Sequence, residues 1–305
     1  MNVLTSFLSS MIMLSTPTLI AALGIVFSER AGIVNIGTEG MMLMGALAGV
    51  IGSLITGSVW LGALIAMLVS MLFAAIFALF TVVVKADQTV IGTGMNILAS
   101  GLTITVNRAV FGASTSPPRI DVFSKAPIPL LSQIPVLGDV LFSQPVPVYI
   151  AFLLVPAAWF VMFRTNTGLN LRAVGETPRA CDTVGINVAR TRFMSVLYSG
   201  LMAGFAGAFV SMGQMSFFTE NMIAGGGFMA LAAVVFGNYT PFGVMGAALV
   251  FGASNALKFQ LQALNTGIPS QFLVMLPYII TILALCGLIR RSNKPASSAI
   301  PYVKE

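Results

Sequence analysis

The chain has 305 residues, a formal charge of +6 and no histidine, and only 8% of its residues are charged while 57% are hydrophobic. A soluble domain carries roughly 25% charged residues, so the composition describes an integral membrane protein and excludes a soluble enzyme. Without histidine there is no Ser-His pair, H-E-x-x-H site or histidine-ligated metal, and Cys181 and Cys286 lie too far apart in sequence to suggest a disulfide framework or zinc centre.

Apolar stretches long enough to cross about 30 Å of hydrocarbon run from Thr5 to Phe27, Ile33 to Thr56, Ser58 to Val84, Val90 to Phe111, Val148 to Phe163, Phe193 to Gly213, Pro241 to Gln262 and Ile268 to Ile289. A ninth, Ala224 to Gly237, has fourteen residues, which is marginal for a crossing. The first stretch lacks a basic leader and a following cleavage site, so it reads as a retained span. Basic residues flank the spans, as the positive-inside bias requires, and nucleic acid is not the implied partner. That bias puts Glu29-Arg30 and Lys85-Ala86-Asp87 in cytoplasmic turns. It puts Arg164 to Arg192 inside, together with the tail that carries Arg290, Arg291, Lys294 and Lys304. An even number of crossings must separate those two inside segments. The short stretch therefore counts as a crossing, which predicts nine in all, with the N-terminus outside and the C-terminus inside.

Gly112 to Pro147 then lies outside. Its seven prolines (Pro117, Pro118, Pro127, Pro129, Pro135, Pro145 and Pro147) hold the backbone extended and oppose a helix. A loop of this length serves as a docking surface or as a tether; a docking surface is the expectation.

The polar stretch Arg164 to Arg192 holds five of the fifteen basic residues. Within it Thr177-Pro178 reads as a helix start, because a threonine oxygen can accept an orphan N–H and proline at the first helical position loses no bond. Gly185 supplies the stop, leaving a helix of about two turns, Pro178 to Val184. Arg179 and Asp182 can pair across its surface.

Gly40 to Ala46 resembles Gly227 to Ala233, and Gly62-Ala63-Leu64 resembles Gly246-Ala247-Ala248 after a three-residue gap. The first copy starts outside and the second inside, so the match predicts inverted repeats; composition alone also makes Gly/Ala-rich spans look alike. An ionisable group within a span is a functional candidate, and Glu39, in Asn35-Ile36-Gly37-Thr38-Glu39-Gly40, is the clearest. It serves either a substrate path or a first-turn anchor on the helix dipole. Its counterpart is Glu220-Asn221 followed by Gly225, Gly226 and Gly227, which form either a helix start that can bind substrate oxygens or a tight turn. Thr93 joins the polar set, and Asn96, Ser100, Thr103 and Asn107 share one helical stripe. That stripe suits a neutral hydroxylated ligand such as a sugar or nucleoside. Phe217, Phe218 and Phe228 can stack on a base or simply pack.

No phosphate loop is present, and none of the five lysines follows a glycine, so nucleotide hydrolysis is not expected in this chain. Proton coupling usually draws on several buried carboxylates. A pore driven by another polypeptide fits best, with an ion-coupled secondary transporter and an intramembrane enzyme as alternatives.

Four segments now stand out: Glu29 to Gly49, Asp87 to Thr103, Gly168 to Asn187 and Met229 to Gly252. They resemble the membrane permeases of ABC-type importers, in the branch related to ribose and branched-chain amino-acid permeases that serves simple sugars and nucleosides. The resemblance covers nearly the whole chain. It implies an all-α polytopic permease domain over 1–305, with a first half (5–111), an extracytoplasmic loop (112–147), a connecting span (148–163), a cytoplasmic coupling loop (164–192), a second half (193–289) and a tail (290–305). The polar and glycine candidates above make Asn35, Glu39, Thr93, Asn96, Ser100, Gly226, Gly227 and Phe228 the expected substrate path. Gly175, Glu176, Thr177, Pro178, Arg179, Ala180, Asp182 and Gly185 would carry a coupling helix seated in a groove of a separate ATPase subunit. That subunit would bind ATP and Mg2+, leaving this chain with no cofactor or metal. The implied partners are that ATPase, a second permease, the solute-binding protein and the lipid of a bacterial inner membrane. Nucleoside is favoured over ribose-like sugar on the resemblance.

Overall fold

The computed structural model describes residues 3–112, 118–127, 137–263, 271–272, 275–280, 282 and 293–303. Among these the chain is helical with no strand, and one isolated antiparallel bridge joins Lys125 and Pro145. Eleven α-helices follow in order: α1 (Val3–Arg30), α2 (Thr38–Thr56), α3 (Val59–Ala78), α4 (Gln88–Phe111), α5 (Leu137–Leu141), α6 (Val146–Arg164), α7 (Asn166–Glu176), α8 (Pro178–Thr183), α9 (Val188–Phe209), α10 (Gly226–Phe236) and α11 (Pro241–Ala263). Short π-helical turns, Leu79–Val83 and Val210–Gln214, extend α3 and α9. Among the described residues seven helices are long and apolar enough to cross a membrane.

The spans agree with the sequence reading within a few residues at most ends, with two exceptions. The Ile33 to Thr56 stretch becomes helical only at Thr38, because the chain turns at Gly32 (φ +91) and Asn35 and Thr38 bond locally instead of continuing a helix. The short ninth stretch forms the eleven-residue α10. At 1.5 Å per residue this covers about 16 Å, half a bilayer core. The Ile268 to Ile289 span falls mostly outside the described residues, as do Pro117, Pro129, Pro135, Cys286, Arg290, Arg291 and Lys304; residues 271–272, 275–280 and 282 are helical.

The bundle interior is built from small residues that let backbones approach. A Cβ on Gly45 would stand 2.7 Å from the Gly204 Cα, and one on Gly24 would stand 2.7 Å from the Met202 Cβ, so α9 lies directly on α2 and α1. Hydroxyls stitch the helices around α2: Ser70 Oγ on α3 donates to Met41 O at 2.7 Å, and Ser211 Oγ, in the turn that extends α9, to Ala46 O at 3.0 Å. Pro17 inside α1 has no N–H to give Met13, and the freed Met13 carbonyl accepts from Gln214 Nε2 at 3.0 Å. The long helices pair in a regular way: α1 runs along α11 as α9 runs along α3, while α2 lies against α9 and α10 against α1.

One end of the bundle gathers Arg30, Arg164, Arg172, Arg190 and Arg192 and is called here the basic end. Residues 293–303 cross it as a strap. Ser297 bonds the Gly175 carbonyl through both N (2.9 Å) and Oγ (2.6 Å), Ala296 N reaches Glu176 Oε2 at 3.3 Å, and Asn293 N reaches Asn238 Oδ1 at 2.7 Å. At the other end the described part of the Pro-rich loop is pinned to the bundle. Ile120 N and Phe123 N donate to Ser216 O and Met212 O, and the Phe123 ring stands edge-on to Trp60 with centroids 5.1 Å apart. The prolines do not exclude helix from this loop. The proline-free Leu137–Leu141 forms a single turn, and Pro147 sits in the first turn of α6, where its missing N–H costs nothing.

Candidate functional site

Two helices start in the middle of the bundle, and their N-termini meet. The α10 start follows Gly225 in a left-handed conformation (φ +88), which aims successive backbone N–H groups at one point. The Glu39 carboxylate occupies that point: Oε1 accepts from Gly225 N at 2.8 Å and Oε2 from Gly227 N at 2.6 Å. Glu39 is itself in the first turn of α2, so one carboxylate faces two helix N-termini, the sign each dipole favours. Glycine is required for the approach, since a Cβ on Gly227 would lie 2.5 Å from the Glu39 N.

The α2 start is held by a neutral group. Asn96 on α4 accepts from Gly40 N at 2.8 Å and donates to Ile36 O at 3.0 Å, spanning the break before α2, and these two partners fix its amide orientation. Four residues on, Ser100 Oγ donates to Asn221 Oδ1 at 2.8 Å, and Arg108 Nε bonds Glu220 Oε1 at 3.0 Å. The face of α4 that carries Asn96 and Ser100 therefore lies along residues 220–225, the non-helical run into α10. Glu39, Asn96, Ser100, Gly226, Gly227 and the half-exposed Phe228 come together in this region.

Other candidates lie apart. Asn35 is buried on α9, with Nδ2 on Ser199 Oγ at 3.1 Å. Thr93 is exposed and returns its hydroxyl to Thr89 O and Val90 O of its own helix. Thr103 is buried and does the same to Ala99 O. Phe218 is buried and Phe217 half-buried, so neither offers an open ring face.

A second cluster occupies the basic end. α8 spans six residues, one fewer than the sequence reading, and Gly185 (φ +84) ends it as expected. The Thr177 hydroxyl makes no capping bond, contrary to expectation. Thr177 also terminates α7, at φ −137 and ψ 75, and its backbone N–H serves Ala173 O instead. α8 is anchored by Cys181, which packs with Val174 and Val188 into a small core joined by Tyr302 of the strap. Burial pushes the Cys181 thiol up from its ordinary value, so it packs as an apolar group. Gly175 is buried beneath this cluster, while Glu176, Thr177, Arg179, Ala180 and Gly185 are exposed and Pro178 and Asp182 half-exposed. α8 stands between two clefts. One, of about 470 Å3, is shared with the strap; the other, of about 510 Å3, is shared with Lys85 and Asn187.

Two features escaped the sequence reading. α7 begins at Thr165, whose hydroxyl accepts from Gly168 N at 3.2 Å, and it buries Gly168, Leu171, Val174 and Gly175 at helical spacing; that spacing was readable. Arg192, counted only as a charge, is almost fully buried. Its guanidinium holds Ala31 O at 3.0 Å, Ile300 O at 2.9 Å and Ser297 Oγ at 3.1 Å, tying α9 to the end of α1 and to the strap.

The family model described as branched-chain amino acid transport system / permease component matches residues 7–285. The chain is 40% identical to the guanosine ABC transporter permease protein NupQ of Bacillus subtilis, covering 99% of this chain and 98% of that one. It is 37% identical to the nucleoside ABC transporter permease protein NupC of Lactococcus lactis subsp. cremoris, with the same coverages. To the putative glucose ABC transporter permease protein TsgC13 of Haloferax volcanii it is 32% identical, over 96% of this chain and 94% of that one. No match was found among solved structures. With helices that cross a membrane and full-length kinship to transport subunits, the chain belongs to the family of branched-chain amino acid transport system permease components, as a multi-pass membrane permease of the ABC type.

Proposed function

We propose that the chain is the membrane subunit of an ATP-driven importer that carries a nucleoside inward, along a path bounded by α4, residues 220–225 and the head of α10. The observation that carries this reading is the meeting of two mid-bundle helix starts on one carboxylate. Broken helices with N-termini at the centre of a membrane bundle are the form in which transporters present polar groups to a solute. Asn96, Ser100 and Asn221 offer donors and acceptors with no unpaired charge, which suits a ribose hydroxyl or a base edge, and exposed Phe228 offers a ring face. Nucleoside is favoured over simple sugar by the kinship to NupQ and NupC.

Inverted halves give a consistent account of the packing. α1, α2 and α3 correspond to α9, α10 and α11, so the α1–α11 pairing answers the α9–α3 pairing. Nine crossings follow if residues 215–236 cross partly extended and partly as α10, and if the span within 268–289 is counted. The basic end is then cytoplasmic. The exposed side of α8 and its two clefts receive the ATPase, which alone binds ATP and Mg2+. A second, non-identical permease completes the pore, and the pinned Pro-rich loop meets a solute-binding protein outside the bacterial inner membrane.

The test is uptake of radiolabelled guanosine into proteoliposomes that hold the permease pair with or without the ATPase. Uptake that needs ATP and persists after ionophore treatment supports the reading. Uptake by this chain alone, abolished by ionophore, overturns it.

A further inference from the structure

Away from the Glu39 region, a cavity of about 770 Å3 separates α6 from α9. α6 contributes Leu154, Ala157, Ala158 and Val161, and α9 contributes Met194 and Tyr198. The charged and amide lining sits at one level, with Thr167 and Asn170 on α7 and Arg190 and Thr191 in the first turn of α9; deeper in, the Ser195 hydroxyl is returned to Arg192 O and Tyr198 adds its phenol. Leu154 lies ten residues before the end of α6 and Tyr198 eight beyond Arg190, so the apolar part extends about 12–15 Å deeper into the bundle. The cavity thus has a polar mouth and an apolar throat.

The mouth lies at the boundary between membrane and water. Arg164 ends α6 and stacks on Trp159 (5.6 Å to the ring centroid), and Arg172 stacks on Phe163 (4.9 Å), the aromatic and basic girdle expected at that depth. Those two cations are engaged by rings. The Arg190 guanidinium is exposed and makes no hydrogen bond or ion pair among the described residues, and no carboxylate lines the cavity. Around the rim Leu153 (71% exposed), Phe160 (57%) and Met194 (54%) face outward. This side is remote from the proposed path, since α6 packs on α1, α7 and α11 whereas α4 packs on α2 and α3. The assignment of this side to lipid, not to the second permease, rests on that path reading.

We propose that the cavity binds one anionic phospholipid, with its phosphodiester against Arg190 and the Asn170 amide and an acyl chain in the throat. A cation that no acidic group faces at the interface selects a headgroup of net negative charge. The apolar throat contributes affinity by burial and does not distinguish one headgroup from another.

The test is lipid retention by the purified permease complex after reconstitution in equal phosphatidylglycerol and phosphatidylethanolamine, read by native mass spectrometry without transport substrate. Wild type should retain phosphatidylglycerol preferentially. Arg190→Gln should reduce that retention about five-fold and leave phosphatidylethanolamine unchanged, while Leu154→Trp, which narrows the throat, should lose both lipids. Thermal unfolding confirms that each variant is folded. Unchanged phosphatidylglycerol retention in both folded variants overturns the proposal. So does efficient crosslinking of a cysteine placed at Val161 to the partner permease in native membranes. Because no substrate is present, the result is independent of whether guanosine uptake is observed.

Discussion

The two mid-bundle helix starts are held in opposite ways. α2 is deeply enclosed, with twelve buried residues among its nineteen, and its first turn is secured by the neutral amide of Asn96. α10 is short and peripheral, with four buried residues among its eleven, and is secured by the charged carboxylate of Glu39. Packing holds α2 whether or not its cap is made. α10 has little packing to fall back on, so its position depends on two charge-assisted bonds, each worth about 1.5–3 kcal/mol. A solute that competes for the Gly225 and Gly227 N–H groups would therefore move α10 and leave α2 in place.

The strongest way to break this contrast is Glu39→Ala. It leaves the Gly225 and Gly227 N–H groups without their acceptor, at a cost of about 3 kcal/mol. Guanosine uptake should fall about a hundred-fold, while the detergent-solubilised protein keeps its helical circular dichroism. Glu39→Gln, which retains one acceptor, should fall between this variant and wild type. Uptake at wild-type level in both would show that the carboxylate does not hold α10.

Gly227→Ala attacks the same junction from the other side. The new methyl meets the Glu39 backbone and cannot be relieved by a rotamer change, so about 1–3 kcal/mol of strain is expected. Uptake should fall at least five-fold, with a lowered unfolding temperature. Gly226→Ala, whose Cβ would meet only the Ile223 Cγ2 at 3.2 Å and the Met42 Cε at 3.8 Å, serves as the milder control.

Asn96→Ala sharpens the comparison at the enclosed helix. It should cost about 1–2 kcal/mol, visible as a lowered unfolding temperature, but reduce uptake less than Glu39→Ala because packing retains α2. A larger uptake loss than that of Glu39→Ala would reverse the assignment of fixed and movable helices. The smallest effect belongs to a third helix start, that of α8. Its threonine makes no cap bond, so Thr177→Ala should change stability by less than about 0.5 kcal/mol and leave co-purification of the ATPase intact. Loss of the ATPase in that variant would mean that the hydroxyl touches the partner directly.

The legible part of this molecule was what repeats along the chain. Hydropathy located the long spans because each is a single apolar run, whereas the fourteen-residue stretch, marginal by length, was counted as a crossing on charge bookkeeping and forms the eleven-residue α10. Glu39 and the three glycines were each readable as unusual. Their contact was not, because 186 residues separate Glu39 from Gly225 and no local pattern encodes such a pairing. The Thr177 cap failed for a related reason. Capping preference assumes a free residue before the helix, and here the same residue closes α7. Arg192 shows the limit of charge counting, which places an arginine on a side of the membrane and says nothing about three backbone and hydroxyl partners waiting there.

The strap has a consequence for how the molecule is made. Residues 293–303 close contacts with α7, with the end of α1 and with Arg192, yet they leave the ribosome only after α1 to α11 have been synthesised. At roughly 5–20 residues per second, the first spans wait many seconds before the surface beside α8 is complete. A chain truncated before Asn293 would insert its helices and still lack the Ser297, Ile300 and Tyr302 contacts that shape one side of that surface. The surface beside α8 is thereby completed from two parts of the chain more than a hundred residues apart, and it takes its final shape only once residues 293–303 have emerged.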